Sequence, residues 1–300
     1  MNTPSNAVPE PLAVAQVTRA RAIYWSIRRE LWETHSIYIA PLAAAVLFLF
    51  GYLINLMIVR HRVNGGWLLD QARHHEVLAA PYEIAGALIM GTAFIVGVFY
   101  SLDALYGERR DRSILFWKSM PVSDLTTVLS KVSVPIVILP LLSFGILIVT
   151  QLLMLLMSSV VLLGSGLSGA TLLTHSSFLE FSLMLLYHMV TVHGLWYAPL
   201  YGWLLLVSAW APRAPFIWAF LPPFVIVGVE KLAFNTTHFL AMLEHRVTGP
   251  VWSHNPQGTT MDVLAVPAQF FITPGLWIGL AIAAAFLYAA VRLRHYRGSV

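Results

Sequence analysis

The sequence predicts an all-α polytopic membrane protein. Six transmembrane helices, an N-terminal interfacial helix and a re-entrant helical segment before the last span make up one membrane domain over 1–300. Three observations carry that prediction. Hydrophobic residues account for 58% of the chain and charged residues for only 11%, far from the balance of a soluble globular protein. Runs without Asp, Glu, Lys or Arg occur at 37–59, 84–102, 132–157, 183–210, 214–229 and 275–291, lengths near the roughly 20 residues that cross about 30 Å of hydrocarbon. The cations, finally, collect in the alternate connections between those runs.

Taken in order, residues 17–34 (VTRARAIYWSIRRELWET) set Ala20, Tyr24, Ile27 and Leu31 on one helical face, with Arg21, Arg28 and Arg29 largely elsewhere. With Trp25 and Trp32 this is an amphipathic helix for the interface plane, a surface anchor ahead of the first span. Residues 60–83 form a polar loop whose His61, His74 and His75 are read as solvated. Between spans two and three lies a charge-dense stretch, 108–118 (ERRDRSILFWK), which continues over 119–124 (SMPVSD). Both charge signs at its edges and Ile114, Leu115, Phe116 and Trp117 at its centre suit docking to a soluble protein better than membrane anchoring. After span three, 158–182 is a Ser/Gly/Thr/Leu stretch that extends the third helix.

Span four carries Tyr187, His188, His193, Trp196, Tyr197 and Tyr201 in an otherwise apolar run. His193, Tyr197 and Tyr201 recur at i, i+4 and i+8. Such a stripe serves either interhelical hydrogen bonding and packing or an amphiphile-contacting wall of a substrate path between permease copies. Span five is short and holds Pro215, Pro222 and Pro223, so a break or kink is expected there, its freed carbonyls taken up by neighbouring spans. In the long connection 230–270, the stretch 234–247 is too short and too polar to cross, which suggests a re-entrant or interfacial helical pair.

With six spans and both termini inside, the cytoplasmic set is Arg19, Arg21, Arg28, Arg29, Arg109, Arg110, Arg112, Lys118, Lys131, Arg213, Arg292, Arg294 and Arg297, thirteen of the 18 cations. That bias places both ends in the cytoplasm of an inner (cytoplasmic) membrane. The excess of cations therefore calls for no nucleic-acid partner; anionic lipid accounts for it. The absence of cysteine excludes disulfides, thiolate metal sites and a cysteine nucleophile. The first dozen residues lack the basic and apolar regions of a cleavable signal peptide.

Enzymatic motifs are weak. Gly166-Leu167-Ser168-Gly169 is similar to the nucleophile box of rhomboid intramembrane proteases, with His188 or His193 as conceivable bases, but four residues in a Gly/Ser-rich stretch also suit a turning helix end. His75-Glu76 starts a zinc motif that Ala79 fails to complete, so no metal site is expected. No phosphate-binding Gly-rich loop is present, and any ATP chemistry must come from a partner. A secondary transporter would show ionisable groups at midspan, and here Glu83 and Asp103 lie at the ends of span two.

At 108–131 the chain resembles the ABC type-2 permeases, the transmembrane subunits of one superfamily of ATP-binding cassette exporters. Glu108, Arg109, Arg110, Ser113, Leu115, Pro121, Val122, Ser123 and Lys131 stand where that family has a Glu-Arg-rich stretch, a hydroxyl residue, an apolar helix and a Pro-Val-Ser close. Arg112 departs from it, because many members have glycine there. The resemblance implies a non-catalytic permease moving a lipid-like or peptide-like amphiphile. It implies as partners separate ATP-binding cassette subunits carrying ATP and Mg, and a second permease copy or paralogue. Its coupling segment is 108–124, in which Leu115, Phe116 and Trp117 fill a groove on the ATPase while Glu108, Arg109, Arg110 and Asp111 fix register by charge.

Overall fold

The computed structural model describes residues 19–63, 71–119, 122–163, 186–248 and 270–296, and among them every regular element is helical. Helix α1 (Arg19–Glu33) turns at Thr34 and His35 into α2 (Ser36–Val63), whose 28 residues reach about 42 Å at 1.5 Å each. Helix α3 (Gln71–Asp103) returns, and two short helices, α4 (Tyr106–Arg110) and α5 (Ser113–Ser119), follow in the connection. Helix α6 (Asp124–Ser133) opens on Ser123, whose Oγ accepts the Thr126 N–H at 3.1 Å. It runs through a π-helical turn (Val134–Ile138) into α7 (Leu139–Leu163). Pro135 explains the turn: it has no N–H for the Lys131 carbonyl, which takes the Val134 N–H instead while the helix widens.

The break falls in span four, not in span five. Residues 186–196 and α8 (Ala198–Trp210) meet at 44°, and Met189–Trp196 is π-helical up to the bend. Pro199 sits in the first turn of α8, where its missing N–H costs nothing. Helix α9 (Pro215–Phe234), by contrast, continues through Pro222 and Pro223. The Ala219 carbonyl, which Pro223 cannot serve, accepts the Trp203 indole N–H of α8 at 3.1 Å. The neighbouring span thus takes up a freed carbonyl as expected, and that bond helps keep the helix whole.

With the bent pair counted as one crossing, six spans of sufficient length and apolarity result. Their alternation is visible in side-chain bonds. Glu30 of α1 reaches Lys131 of α6, Arg109 reaches Ala211 after α8, and α11 (Pro274–Tyr296) brings Arg294 to Glu108. Helix α1 and the end of α11 therefore lie at one end of the bundle with α4 and α5. At the other end the chain turns at Asn235 (φ 52°) into α10 (His238–Thr248), and the Glu230 carboxylate accepts the first N–H groups of that helix, those of His238 and Phe239. Helix α10 is the described part of the expected helical pair; residues 249–269 lie outside the described residues.

The core runs between α3, α8 and α11. Gly202 of α8 meets α11 so closely that a Cβ there would stand 3.3 Å from the Ala283 carbonyl oxygen. Helices α2 and α9 lie at the periphery and face outward with Leu47, Phe50, Phe224 and Leu232. Only Ala219 of α9 is buried.

Candidate functional site

Ionised groups from four helices meet at the α5 end of the bundle. Lys131 of α6, 2% exposed, donates to Glu30 at 2.9 Å and stands 3.1 Å from Glu108. Glu108 of α4 also receives Arg294 of α11 through its other oxygen and Arg29 of α1 at 3.3 Å. Arg294 continues to Asp124 at 3.0 Å, and Arg29 returns to Glu30 at 2.8 Å. Three carboxylates thus meet three cations, with the Tyr100 hydroxyl donating to Glu30 at 2.8 Å. Each charge is balanced, the condition under which buried ions persist. Burial pushes the Glu30 carboxyl up, but Lys131, Arg29 and Tyr100 together outweigh that and hold it below its ordinary value.

Arg109 fixes the same loop from another side. Its Nη2 donates to the carbonyls of Ser208 and Ala211, each at 2.7 Å, and so caps the last turn of α8. Ser208 reciprocates, its Oγ accepting the N–H groups of Leu105 and Tyr106 at the start of α4 at 3.0 and 2.9 Å. Glu108 and Arg109 are therefore interior groups, 8% and 4% exposed. The charges expected to set register with another protein make these contacts within the chain.

Beyond them the loop turns outward. Arg110 and Asp111 pair with each other on the surface at 2.9 Å. Arg112 has φ 58°, the left-handed conformation that favours glycine. Ser113 donates to the Glu108 carbonyl, and Ile114 is buried beneath α5. Trp117 lies half-buried with the Arg29 guanidinium 3.7 Å from its ring centre, and Lys118 donates to the His295 carbonyl. Leu115 and Phe116 are 59% and 60% exposed, with the Phe116 ring edge-on to that of Trp117 at 5.0 Å. Pro121 lies outside the described residues.

The span-four stripe sits inside the chain. Phe94 of α3 lies 4.9 Å from the Tyr197 ring, and Tyr201 packs within 3.0 Å of where a Cβ on Gly97 would be. His193 Nε2 meets the Met90 carbonyl at 3.3 Å. The Tyr197 hydroxyl donates to Val247 of α10. All three side chains are buried, so in this conformation the stripe packs spans two and four together and does not face outward toward a second copy. The Gly166–Gly169 box lies outside the described residues, as do the side chains of His61, His74 and His75. Among the described residues no group of three His, Asp or Glu could hold a metal.

Sequence reasoning missed Arg29, Glu30, Asp124 and Arg294 as members of the network. The signal was present: Glu30 falls on the Ile23 and Ile27 face of α1, and Arg294 continues the buried Ala283 and Ala290 stripe of α11. A charge on an apolar stripe asks for a partner. No family model, curated protein or solved structure matches the chain.

Proposed function

We propose that this chain is the membrane subunit of an ATP-driven exporter, with α4 and α5 as the docking element for a separate ATP-binding cassette subunit. The observation that carries the reading is a tip of exposed apolar groups, Leu115 and Phe116, on a loop whose base is bolted to four spans or their flanking helices. A flexible loop would absorb a push from a motor. Here Glu108 hands displacement to Lys131 and Arg294, at the ends of spans three and six, and Arg109 hands it to the end of span four. The α5 end is the cytoplasmic one, since the cations gather there, and the membrane is the inner (cytoplasmic) membrane.

The cargo in this reading is amphiphilic, because the spans offer aromatic and small polar groups but no charge at midspan. ATP and Mg belong to the partner, and a second permease copy or paralogue completes the pathway. Replacing Leu115 and Phe116 by Ala in the membrane-embedded chain tests it. Release of the ATPase, with the permease still inserted and folded, is the expected result. Unchanged co-purification and unchanged ATP turnover by the complex would refute the assignment.

A further inference from the structure

Arg28 differs from the other described arginines at the α5 end. Its guanidinium lies 4.8 Å from the ring centre of Trp32 and 5.1 Å from that of Trp25, one indole a turn along the helix on either side. Among the described residues it donates no hydrogen bond and makes no ion pair, whereas the adjacent Arg29 pairs with Glu30, Glu33 and Glu108. Glu33, at the end of the same helix, pairs with Arg29 at 3.4 Å. Trp25 and Trp32 are 54% and 66% exposed and Arg28 between them is half-buried, so the group lies at the surface of the described chain.

The level at which this occurs matters. Only Thr34 and His35 separate α1 from the first span, so the outward face of α1 lies at the hydrocarbon boundary, where indole rings settle among headgroups. A guanidinium flanked by two such rings offers its planar fork of N–H donors, which matches the oxygens of a phosphate. The rings and Tyr24, also exposed, add apolar area beside that fork for the glycerol and upper acyl carbons. A free phosphate has no use for this area.

We propose that Arg28, Trp25 and Trp32 form a binding site for the phosphate of an anionic phospholipid from the leaflet that α1 lies against. An anionic lipid suits the site better than a choline lipid because Arg21 and Arg28, both on this helix, repel a headgroup ammonium. The opposite face of α1 carries Glu30, so an occupied site holds α1 down on α6 and stabilises the ion network.

Thermal unfolding of the full chain in detergent, titrated with phosphatidylglycerol, phosphatidylcholine or inorganic phosphate, tests the proposal. Phosphatidylglycerol should raise the midpoint while the other two leave it in place. Arg28→Gln should move the half-maximal lipid concentration up about tenfold, in keeping with loss of a charge-assisted hydrogen bond, and Arg28→Lys should fall between. Arg213→Gln removes the same charge from an exposed turn at the same end and should change nothing. Equal shifts in the Gln variants at 28 and 213 would reduce the effect to diffuse charge and overturn the site. So would an equal response to phosphatidylcholine, or to free phosphate.

Discussion

Lys131 enters span three as an ammonium 2% exposed, and two carboxylates, Glu30 and Glu108, are what make that tolerable. Replacing it by Met leaves those acids facing each other without their shared cation. A loss of about 3–5 kcal/mol is expected, seen as a lower thermal midpoint in detergent. The network also sets a pH limit. Glu30 is held below its ordinary value near 4.5, so its contribution is complete above that pH and disappears as the pH falls through the lower folded value. The midpoint should stay level from neutral pH down to about 5 and drop below it, and Glu30→Gln should lower the neutral midpoint and flatten the acid limb. Arg112 offers the opposite sign: with φ 58° it adopts a conformation that costs a non-glycine residue about 1 kcal/mol, so Arg112→Gly should stabilise the loop by a similar amount. A lower midpoint for that variant would mean that the Arg112 side chain contributes more than its backbone costs.

Helix α9 and span four show how far a pattern of residues determines an element. Prolines mark possible breaks, and three of them in span five make a break there a fair expectation. What decides the matter is whether another chain segment can supply the donor that proline lacks, and Trp203, on the preceding helix, does so for Ala219. Trp203→Phe keeps the ring and removes the N–H. It should cost about 1 kcal/mol and speed amide exchange in α9 around Pro222, and exchange identical to the parent would show that the prolines need no such help. The His193, Tyr197 and Tyr201 stripe was legible as one face, and that face holds despite the π-helical stretch running into Trp196. Periodicity shows that residues share a face but not which helix lies opposite, so the packing against Phe94 and Gly97 could not be read in advance. The amphipathic character of α1 was equally legible, though Tyr24 turns outward and Glu30 takes the inner face with Ile27.

For the whole molecule, the all-helical class and the six crossings were legible because hydrocarbon imposes length and apolarity on every span regardless of partners. The ion network was not, since its directly bonded pairs are separated by up to 186 residues in the chain and meet only when four helices pack. The alternation of ends inferred from cations agrees with the side-chain bonds that collect α1, α4, α6 and the end of α11 in one place. The central claim is that the α5 tip delivers motion from a nucleotide-driven partner to this assembly. Its most direct test places a photo-crosslinking amino acid at Phe116 in native membranes, with Arg213 as the control position, and identifies the product by mass spectrometry. The account predicts a crosslink at 116, absent at 213, to a protein that carries a phosphate-binding Gly-rich loop, with a yield that changes on adding ATP. A tip at 116 that reacts only with lipid, or with a protein indifferent to nucleotide, would contradict it.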